Sequence, residues 1–249
     1  MRPMVAPGAC QTVGVTSGSD RLRTARLYYV CDRDAMARTL APALAGGVDL
    51  FQLRDKQAGD DEVLLAAEEA RALCAAHGAL FVLNDRPDLA AAAGADGVHV
   101  GQDDTPVALA RRAVGDDAIV GLSTHSIAQA EAGARSGADY IALGPVHATP
   151  TKEGRPAIGL EPVRHAAAHR DLPWFAIGGI DESTIGDVVA AGAQRVVVVR
   201  AIAEAADPER AARVLRKALE RGRPTEPAVH PRPDAARPSQ DARPEASRR

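Results

Sequence analysis

The chain has 249 residues, of which 46% are hydrophobic and 25% charged, enough for one large domain or two small ones. Its net charge of −3 and its aromatic content of 3% argue against a nucleic-acid partner, which requires a basic surface or stacking side chains. No apolar run approaches the roughly 20 residues of a membrane span, and the start does not resemble a signal peptide. We therefore predict a cytoplasmic protein with no membrane partner.

Both ends of the chain are predicted to be disordered. Residues 1–24 mix Gly, Ser, Pro and Thr without periodicity, and residues 222–249 carry six prolines and six arginines but no Leu, Ile or Phe. Such segments cannot bury enough apolar surface to offset the entropy cost of ordering them. We predict that a single domain occupies residues 25–221.

Short apolar runs alternate with Ala-rich stretches of helical spacing throughout this domain. Continuous apolar strands separated by helices are typical of parallel βαβ units whose sheet is covered on both faces. Eight such units with no second domain left over predict a closed (β/α)8 TIM barrel, and a doubly wound open sheet is the alternative. In chain order the predicted strands are LYYVC (27–31), VDLFQLR (48–54), ALFVLN (79–84), GVHV (97–100), AIVGLS (118–123), YIALG (140–144), WFAIGG (174–179) and RVVVVR (195–200).

Four near-repeats precede strands of this set: AGGVDL (45–50), AGADGV (93–98), SGADYI (136–141) and AGAQRV (191–196). Each contains a glycine where a helix is expected to end and turn into the next strand. The near-repeats therefore predict αβ loops and carry no functional information by themselves.

Polar side chains collect at the carboxyl ends of the predicted strands, where barrels of this class place their active sites. On the second strand Gln52, Arg54 and Lys56 share one face, because successive strand side chains point to opposite sides. Helix capping is the alternative role for Asp85 and Asp181. The other candidates at strand ends are Asn84, His99, Asp104, Ser123, His125, His147, Thr149, Gly179 and Arg200.

Two anion sites are predicted at this end of the barrel. The first is the glycine pair of FAIGGI, which ends at Gly179, because exposed backbone N–H groups and a following helix bind phosphate. The second is formed by Arg54, Lys56 and Lys152, whose three cations require more than one phosphate as counter-charge. The loop 144–159 is predicted to be a lid or binding loop, because it is long and has no element of its own.

Asp85 and Asp104 are predicted to hold Mg²⁺ beside these cations. That ion takes one or two protein carboxylates and completes its shell with water and phosphate oxygens. A diphosphate ligand with Mg²⁺ would satisfy the cations and the acids together. The alternative is a set of ion pairs between Arg54 or Lys56 and these acids, without any ligand.

Six blocks together resemble the thiamine-phosphate synthase family: QLRDK, LNDRPDLA, ADGVHVGQDD, GLSTHS, ADYIALGPVHATPTK and FAIGGI, in this order. The resemblance extends from about Leu27 to Val214. It implies a (β/α)8 barrel that joins hydroxymethylpyrimidine diphosphate to a thiazole phosphate and releases pyrophosphate. It also implies two small-molecule substrates and Mg²⁺ as cofactor.

The resemblance also implies roles for individual residues. Gln52, Arg54 and Lys56 would hold the pyrimidine diphosphate. The remaining implied roles are the pyrimidine for Asn84, Mg²⁺ for Asp85 and Asp104, the pyrimidine or its diphosphate for Ser123 and Lys152, and the thiazole phosphate for Thr149, Thr151, Gly179, Val199 and Arg200. Arg200 departs from the family, which often has Ser in a VSAI-like run where this chain has VVVVRAI.

No protein nucleophile is needed for this reaction, because the aminopyrimidine stabilises a cation after diphosphate leaves. Cys31 is the one thiol near a strand end, and we favour buried packing over catalysis for it. A thiazole tautomerase with His125 as general base, a non-catalytic sensor of a phosphate ligand and a phosphosugar isomerase or synthase are the alternatives. The sequence leaves open the oligomeric state, the role of the tail and whether the thiazole carries a carboxylate.

Overall fold

The computed structural model describes residues 17–150, 156–169 and 172–222. The strands are β1 (Leu27–Cys31), β2 (Leu50–Leu53), β3 (Leu80–Asn84), β4 (Gly97–Val100), β5 (Ile119–Thr124), β6 (Tyr140–Leu143), β7 (Trp174–Ile177) and β8 (Val196–Val198). They form one closed parallel barrel in sequence order, because β8 pairs with β1 as well as with β7. Closure confirms the predicted (β/α)8 TIM barrel and excludes the open-sheet alternative.

Helices alternate with these strands in the part of the chain that is described. They are α1 (Gly18–Thr24), α2 (Arg33–Ala45), α3 (Asp60–Ala76), α4 (Pro87–Ala92), α5 (Val107–Val114), α6 (Ile127–Ala134), α7 (Glu161–Ala168), α8 (Ile185–Ala190), α9 (Arg200–Ala203) and α10 (Pro208–Arg221). Every predicted strand run overlaps one observed strand, and β5 extends one residue further, to Thr124. Most observed strands are shorter than predicted, because flanking glycines and polar residues belong to loops.

Side chains of the strands alternate between two apolar layers. Tyr28 and Phe175 belong to the layer inside the barrel, which we call the lumen, whereas Tyr29 and Phe51 pack in the layer between strands and helices. Gln52 is buried on the lumen side, where its amide bonds to the Tyr28 hydroxyl. The predicted alternation in the second strand is therefore confirmed, and it directs a polar side chain into the lumen.

The helix α1 corrects the prediction that residues 1–24 are disordered throughout. Ser17 caps the helix by accepting a hydrogen bond from Asp20 N, and Leu22 is buried in the lumen layer. Arg21 ties the helix to the barrel by donating to the carbonyl of Ala79 at 2.6 Å. One cap and one buried leucine in seven residues leave too short a pattern for recognition by periodicity. The predictions for residues 1–16 and 223–249 lie outside the described residues.

An aspartate in three of the four near-repeats connects neighbouring strands at the opposite end of the barrel from the predicted site. Each carboxylate accepts backbone N–H groups at the start of the preceding strand, at 2.7 to 3.0 Å. Each also pairs with an arginine. The pairs are Asp49 with Arg216, Asp96 with Arg21, and Asp139 with Arg111. The near-repeats thus stabilise the barrel, as expected of αβ loops without a ligand.

None of the helices in the described ranges combines the length and apolarity required to cross a lipid bilayer.

Candidate active site

A cavity of about 250 Å³ opens at the carboxyl ends of the strands, above the lumen. Four residues predicted to bind the pyrimidine diphosphate line it: Gln52, Arg54, Asn84 and Ser123. They come from β2, β3 and β5 or from the residue that follows the strand. The alternation of strand side chains explains their convergence, because all four occupy lumen-facing positions.

Arg54 presents a positive charge to this cavity. It follows β2, and its backbone N–H donates to Cys31 O at 2.8 Å, which continues the β1–β2 pairing by one residue. Within the described residues, no carboxylate lies within ion-pair distance of the Arg54 guanidinium. The proposed Arg54–Asp85 ion pair is therefore absent, and the cation is available to an anionic ligand.

Two carboxylates meet beside Asn84, although neither of them lines the cavity itself. The Asp85 carboxyl contacts that of Asp104, and Lys56 Nζ lies 3.3 Å from Asp85 Oδ2. Burial and the neighbouring Asp104 carboxylate raise the pKa of Asp85, and Lys56 opposes that increase. Asp104 is oriented by Gly101, whose N–H donates to its Oδ2 at 2.9 Å. Two like charges held in contact favour a cation between them.

This acid pair does not form a complete metal cage by itself. Over the described ranges, no three or more His, Cys, Asp or Glu side chains are grouped as metal ligands. A two-carboxylate site suits Mg²⁺, which retains water and takes substrate phosphate oxygens as its remaining ligands. It does not suit a structural zinc ion, which takes four protein ligands.

Neither predicted aspartate is the N-cap of a helix in the described residues, and Asp181 instead forms a turn that ends at Thr184, the N-cap of α8. Asp181 Oδ1 accepts hydrogen bonds from the backbone N–H groups of Ser183 and Thr184, at 2.8 and 3.1 Å. The N-cap of α4 is Arg86, and Asp85 caps no helix in the structure. Asp85 instead has a positive φ of 60°, which places its carboxylate against its neighbours across the site. The Lys56–Asp85 ion pair of the ligand-free alternative is present, but among the residues that the structure describes it leaves Asp104 without an ion-pair partner.

Beneath the cavity, a chain of hydrogen bonds crosses the lumen. Gln52 Nε2 bonds to the Tyr28 hydroxyl, which lies 3.0 Å from the Tyr140 hydroxyl. The Tyr140 hydroxyl lies 3.0 Å from His99 Nδ1, and His99 Nε2 lies 3.0 Å from Ser123 Oγ. Two predicted substrate-binding residues are therefore the two ends of one buried network.

A second cavity, of about 230 Å³, adjoins the first along β7 and β8. It is lined by Thr149, Gly179, Val199 and Arg200, all predicted for the thiazole phosphate. Gly179 has a φ of 63°, and a Cβ there would lie 2.7 Å from His147 Cβ, so this position requires glycine. The helix α8 starts only at Ile185, after the Asp181 turn, so it does not directly follow the glycine pair as predicted.

Arg200 lies between the two cavities and lines both. It is the first residue of α9, and its Nη1 is 4.0 Å from Glu204 Oε2, one helical turn further on. An exposed ion pair of this length holds the side chain only weakly. The guanidinium that replaces the hydroxyl frequent in the family therefore stands at the boundary of the two cavities.

Two side chains considered for alternative chemistry have structural partners. His125 Nδ1 is 2.6 Å from the carbonyl oxygen of Gly144, at the start of the loop 144–159. Cys31 is buried, and burial raises the pKa of its thiol to about 12, which disfavours a nucleophilic thiolate. The structure thus favours packing for Cys31, as predicted from the sequence. Thr151 and Lys152 lie outside the described residues.

Comparisons with known proteins agree with this geometry. A family model described as thiamine monophosphate synthase matches residues 27–202. The chain belongs to this family. A thiamine-phosphate synthase of Saccharopolyspora erythraea is 54% identical over 211 residues, which cover 80% of this chain and 95% of that relative. One of Thermobifida fusca is 51% identical over 205 residues, covering 80% of this chain and 94% of that relative.

A solved structure in the same family is also similar. Thiamine phosphate pyrophosphorylase from Pyrococcus furiosus matches with a TM-score of 0.73 at 32% identity, covering 82% of this chain and 98% of that one. Membership in the thiamine monophosphate synthase family makes the chain an enzyme, a transferase of thiamine biosynthesis.

Sequence reasoning missed the middle of the hydrogen-bond network that crosses the lumen. The sequence places Tyr28 and Tyr140 only in apolar strands and indicates no specific role for His99. A signal was present, because Tyr28, His99 and Tyr140 occupy lumen-facing positions within their strands, in the same alternation that points Gln52 inward. A polar tip on an inward-facing aromatic side chain requires a buried partner.

Proposed function

We propose that the chain joins 4-amino-2-methyl-5-hydroxymethylpyrimidine diphosphate to a thiazole phosphate, forming thiamine phosphate and releasing pyrophosphate. The observation that carries the proposal is the contact of Asp85 with Asp104 beside Lys56, directly after Asn84, which lines the same cavity as Arg54. Opposite charges arranged in this way suit a diphosphate with a divalent cation. The second cavity next to it offers room for the second substrate.

The diphosphate would lie between Arg54 and Lys56. Arg54 has no competing carboxylate among the described residues, so binding an anion requires no ion pair to break. Lys56 is half exposed and bound to Asp85, and it can turn from that acid to a phosphate oxygen. Lys152, predicted from the sequence to join them, would add a third positive charge from the loop 144–159.

Asp85 and Asp104 would hold Mg²⁺, and their chemistry fits that ion. Burial and the neighbouring Asp104 carboxyl raise the pKa of Asp85, a cation beside the two acids would offset both effects, and oxygen ligands of this kind are those that Mg²⁺ prefers. When bound there, the ion would supply positive charge for the oxygens of the leaving diphosphate. Asp85 and Asp104 orient that charge, and Gly101 N–H keeps Asp104 in place.

The pyrimidine ring would rest over the lumen, with Gln52 and Asn84 on one side and Ser123 on the other. These three side chains offer hydrogen-bonding groups to the ring. Arg54 and Lys56 stabilise negative charge as the bond between the methylene carbon and diphosphate breaks. The ring's amino group donates electron density to the methylene carbon, so no protein nucleophile has to form a covalent intermediate.

The thiazole phosphate would occupy the second cavity, with Thr149, Gly179, Val199 and Arg200 around its phosphate. Thr151 is predicted from the sequence to contribute a further hydroxyl. Holding the phosphate there would direct the thiazole nitrogen across the shared boundary toward the methylene carbon. Such positioning replaces an encounter in solution with a reaction between two substrates that are already bound side by side. This contributes strongly to the reaction rate.

The test is to mix purified protein with both phosphorylated substrates and Mg²⁺, and to measure pyrophosphate and thiamine phosphate. We expect both products in equal amounts, none when either substrate is omitted, and none after chelation of the metal. A thiazole tautomerase would convert the thiazole substrate alone, and a sensor would bind a ligand without releasing pyrophosphate. Activity that survives chelation would refute the role of Mg²⁺ while leaving the condensation itself standing.

Variants connect this activity to the site. We expect Arg54→Ala to lower kcat by roughly 10²-fold to 10³-fold, because a charge that stabilises the leaving group is lost. Lys152→Ala is expected to have a similar effect. The matched control is Arg112→Ala, which removes an exposed arginine of α5. Equal kinetics for Arg54→Ala and the control would exclude Arg54 from the diphosphate site.

A further inference from the structure

The buried chain beneath the first cavity has a defined set of partners. Its members, from one side of the lumen to the other, are Gln52, Tyr28, Tyr140, His99 and Ser123. Four of the five are at most 6% exposed, and each contact is between hydrogen-bonding atoms. Because solvent does not reach the two tyrosine hydroxyls, each must donate and accept within the chain.

Aromatic packing holds the hydroxyl groups in position. The rings of Tyr28 and Tyr140 lie edge-on to Phe175, with centroids 5.4 and 5.6 Å away. Gly121 leaves the space that the rings occupy, since a Cβ there would lie 2.2 Å from Tyr140 and 2.5 Å from His99 Nδ1. Burial raises the pKa of both tyrosines, so both hydroxyls keep their protons. The hydrogen-bond network is therefore rigid, and the two tyrosines at its centre are uncharged.

The direction of the hydrogen bonds follows from the Gln52 end. Gln52 places its Nε2 against Tyr28, and an amide nitrogen can only donate. The distances allow either group to be the donor, but a Tyr28 hydroxyl that accepts from Gln52 has its proton left for Tyr140, and Tyr140 then has its own proton for His99 Nδ1. A neutral imidazole that accepts at Nδ1 carries its proton on Nε2, so His99 donates to Ser123 Oγ. The hydroxyl proton of Ser123 is then left for a ligand in the cavity.

We propose that Tyr28 and Tyr140 are positioning residues that, through His99, present Ser123 to the pyrimidine diphosphate as a hydrogen-bond donor. This inference rests on the proposed function for the identity of the ligand. The ligand supplies the acceptor atom, either a ring nitrogen or an oxygen of the leaving group. Ser123 touches the substrate, whereas the tyrosines act only by setting the direction of its hydroxyl.

The first test is the tautomer of His99 in the ligand-free protein. Nitrogen-15 NMR distinguishes a ring protonated at Nε2 from one protonated at Nδ1, and the signal is assigned by its loss in His99→Asn. We expect the Nε2–H tautomer. The Nδ1–H tautomer would mean that His99 donates to Tyr140 and accepts from Ser123, so the Ser123 proton would not be left for a ligand, and it would overturn the proposal.

The second test separates positioning from packing with three tyrosine-to-phenylalanine variants. Tyr140→Phe removes the donor to His99 Nδ1, and we expect kcat to fall by about tenfold while KM for the pyrimidine diphosphate changes less. Tyr28→Phe removes a more distant donor and is expected to have a smaller effect on kcat. Tyr29→Phe is the matched control, because Tyr29 is equally buried but bonds to Thr39 outside the lumen.

The outcomes distinguish this inference from the proposed function. We expect Tyr140→Phe to shift the His99 tautomer, and Tyr29→Phe to leave it unchanged. A folded Tyr140→Phe protein with unchanged kcat, or an equal loss in the Tyr29→Phe control, would overturn the positioning role. If the wild-type protein has the Nε2–H tautomer but condenses no substrates, the proposed function fails while the order of hydrogen bonds stands. If Tyr140→Phe does not fold, the tautomer of His99 in the wild-type protein still determines the direction of the hydrogen bonds.

Discussion

Replacing Asp85 with Asn should stabilise the protein in the absence of metal while removing its activity. The Asp85 carboxyl touches that of Asp104, and its pKa is raised by burial and by that neighbour. Asn keeps the shape and tolerates the positive φ of 60° at this position, whereas Ala would add backbone strain. Asp104→Asn should act in the same direction, since its amide oxygen can still accept from Gly101 N–H.

The size of the effect follows from the repulsion between two charges. Two like charges about 4 Å apart repel by about 1 kcal/mol in water and by about 4 kcal/mol at an effective dielectric constant near 20. Asp104 is exposed and the Asp85 side chain is 21% exposed, so the value nearer to water applies. Asp85→Asn also loses the Lys56 ion pair, which costs at most about 1 kcal/mol. We therefore expect about 1 kcal/mol of stabilisation for Asp104→Asn and less for Asp85→Asn.

The assay is a double-mutant cycle measured by urea denaturation with a chelator present. Once one acid is neutral, neutralising the other should add no further stabilisation, which gives a coupling energy of about 1 kcal/mol. Mg²⁺ should raise the melting temperature of the wild-type protein and leave both Asn variants unchanged. Because the folded pKa of Asp85 is raised, the wild-type protein regains stability relative to Asp85→Asn as pH falls through that pKa.

The reasoning is refuted if the two substitutions are additive, because the acids would then not interact. It is also refuted if both variants are less stable than the wild-type protein without metal. In that case the carboxylates would serve the fold through other contacts, and the case for a metal between them would disappear.

The remaining predictions concern the barrel and the second cavity. Asp49→Ala removes the acceptor of two strand N–H groups, so we expect a loss of about 3 kcal/mol in urea denaturation, and a loss below about 0.5 would contradict the role. Gly121→Ala pushes a methyl group into the Tyr140 ring and should lower the melting temperature, whereas Gly186→Ala, with open space around it, should not. Arg200→Ser should raise KM for the thiazole phosphate about tenfold, and an unchanged KM would exclude contact with that phosphate.

The barrel and the end of it that carries the site could be predicted, because short stretches of sequence indicate both. Each strand is a short, largely apolar run, and some of these runs stop where a polar residue such as Arg54 or Asp85 begins. These residues lie at the same end of the barrel because the strands are parallel and their carboxyl ends meet on one side. The contact between Asp85 and Asp104 was predicted in this way from two strands adjacent in the barrel.

The hydrogen-bond network in the lumen could not be predicted in the same way. Tyr28, His99 and Tyr140 come from β1, β4 and β6, and they become neighbours only when the barrel closes across its centre. Nothing in LYYVC or YIALG indicates which polar group will face the hydroxyl. The partner of Asp49 is similarly remote, because Arg216 belongs to the last helix, although the repeated aspartate itself was visible in the near-repeats.

Charged residues from several strands are expected to meet on one diphosphate with its metal. A crystal structure with the pyrimidine diphosphate and Mn²⁺, whose anomalous signal marks the metal, tests this arrangement. We expect an anomalous peak between Asp85 and Asp104, with diphosphate oxygens completing its shell and Arg54 on the same diphosphate. A peak elsewhere, or a diphosphate that contacts neither Arg54 nor Lys56, would contradict it.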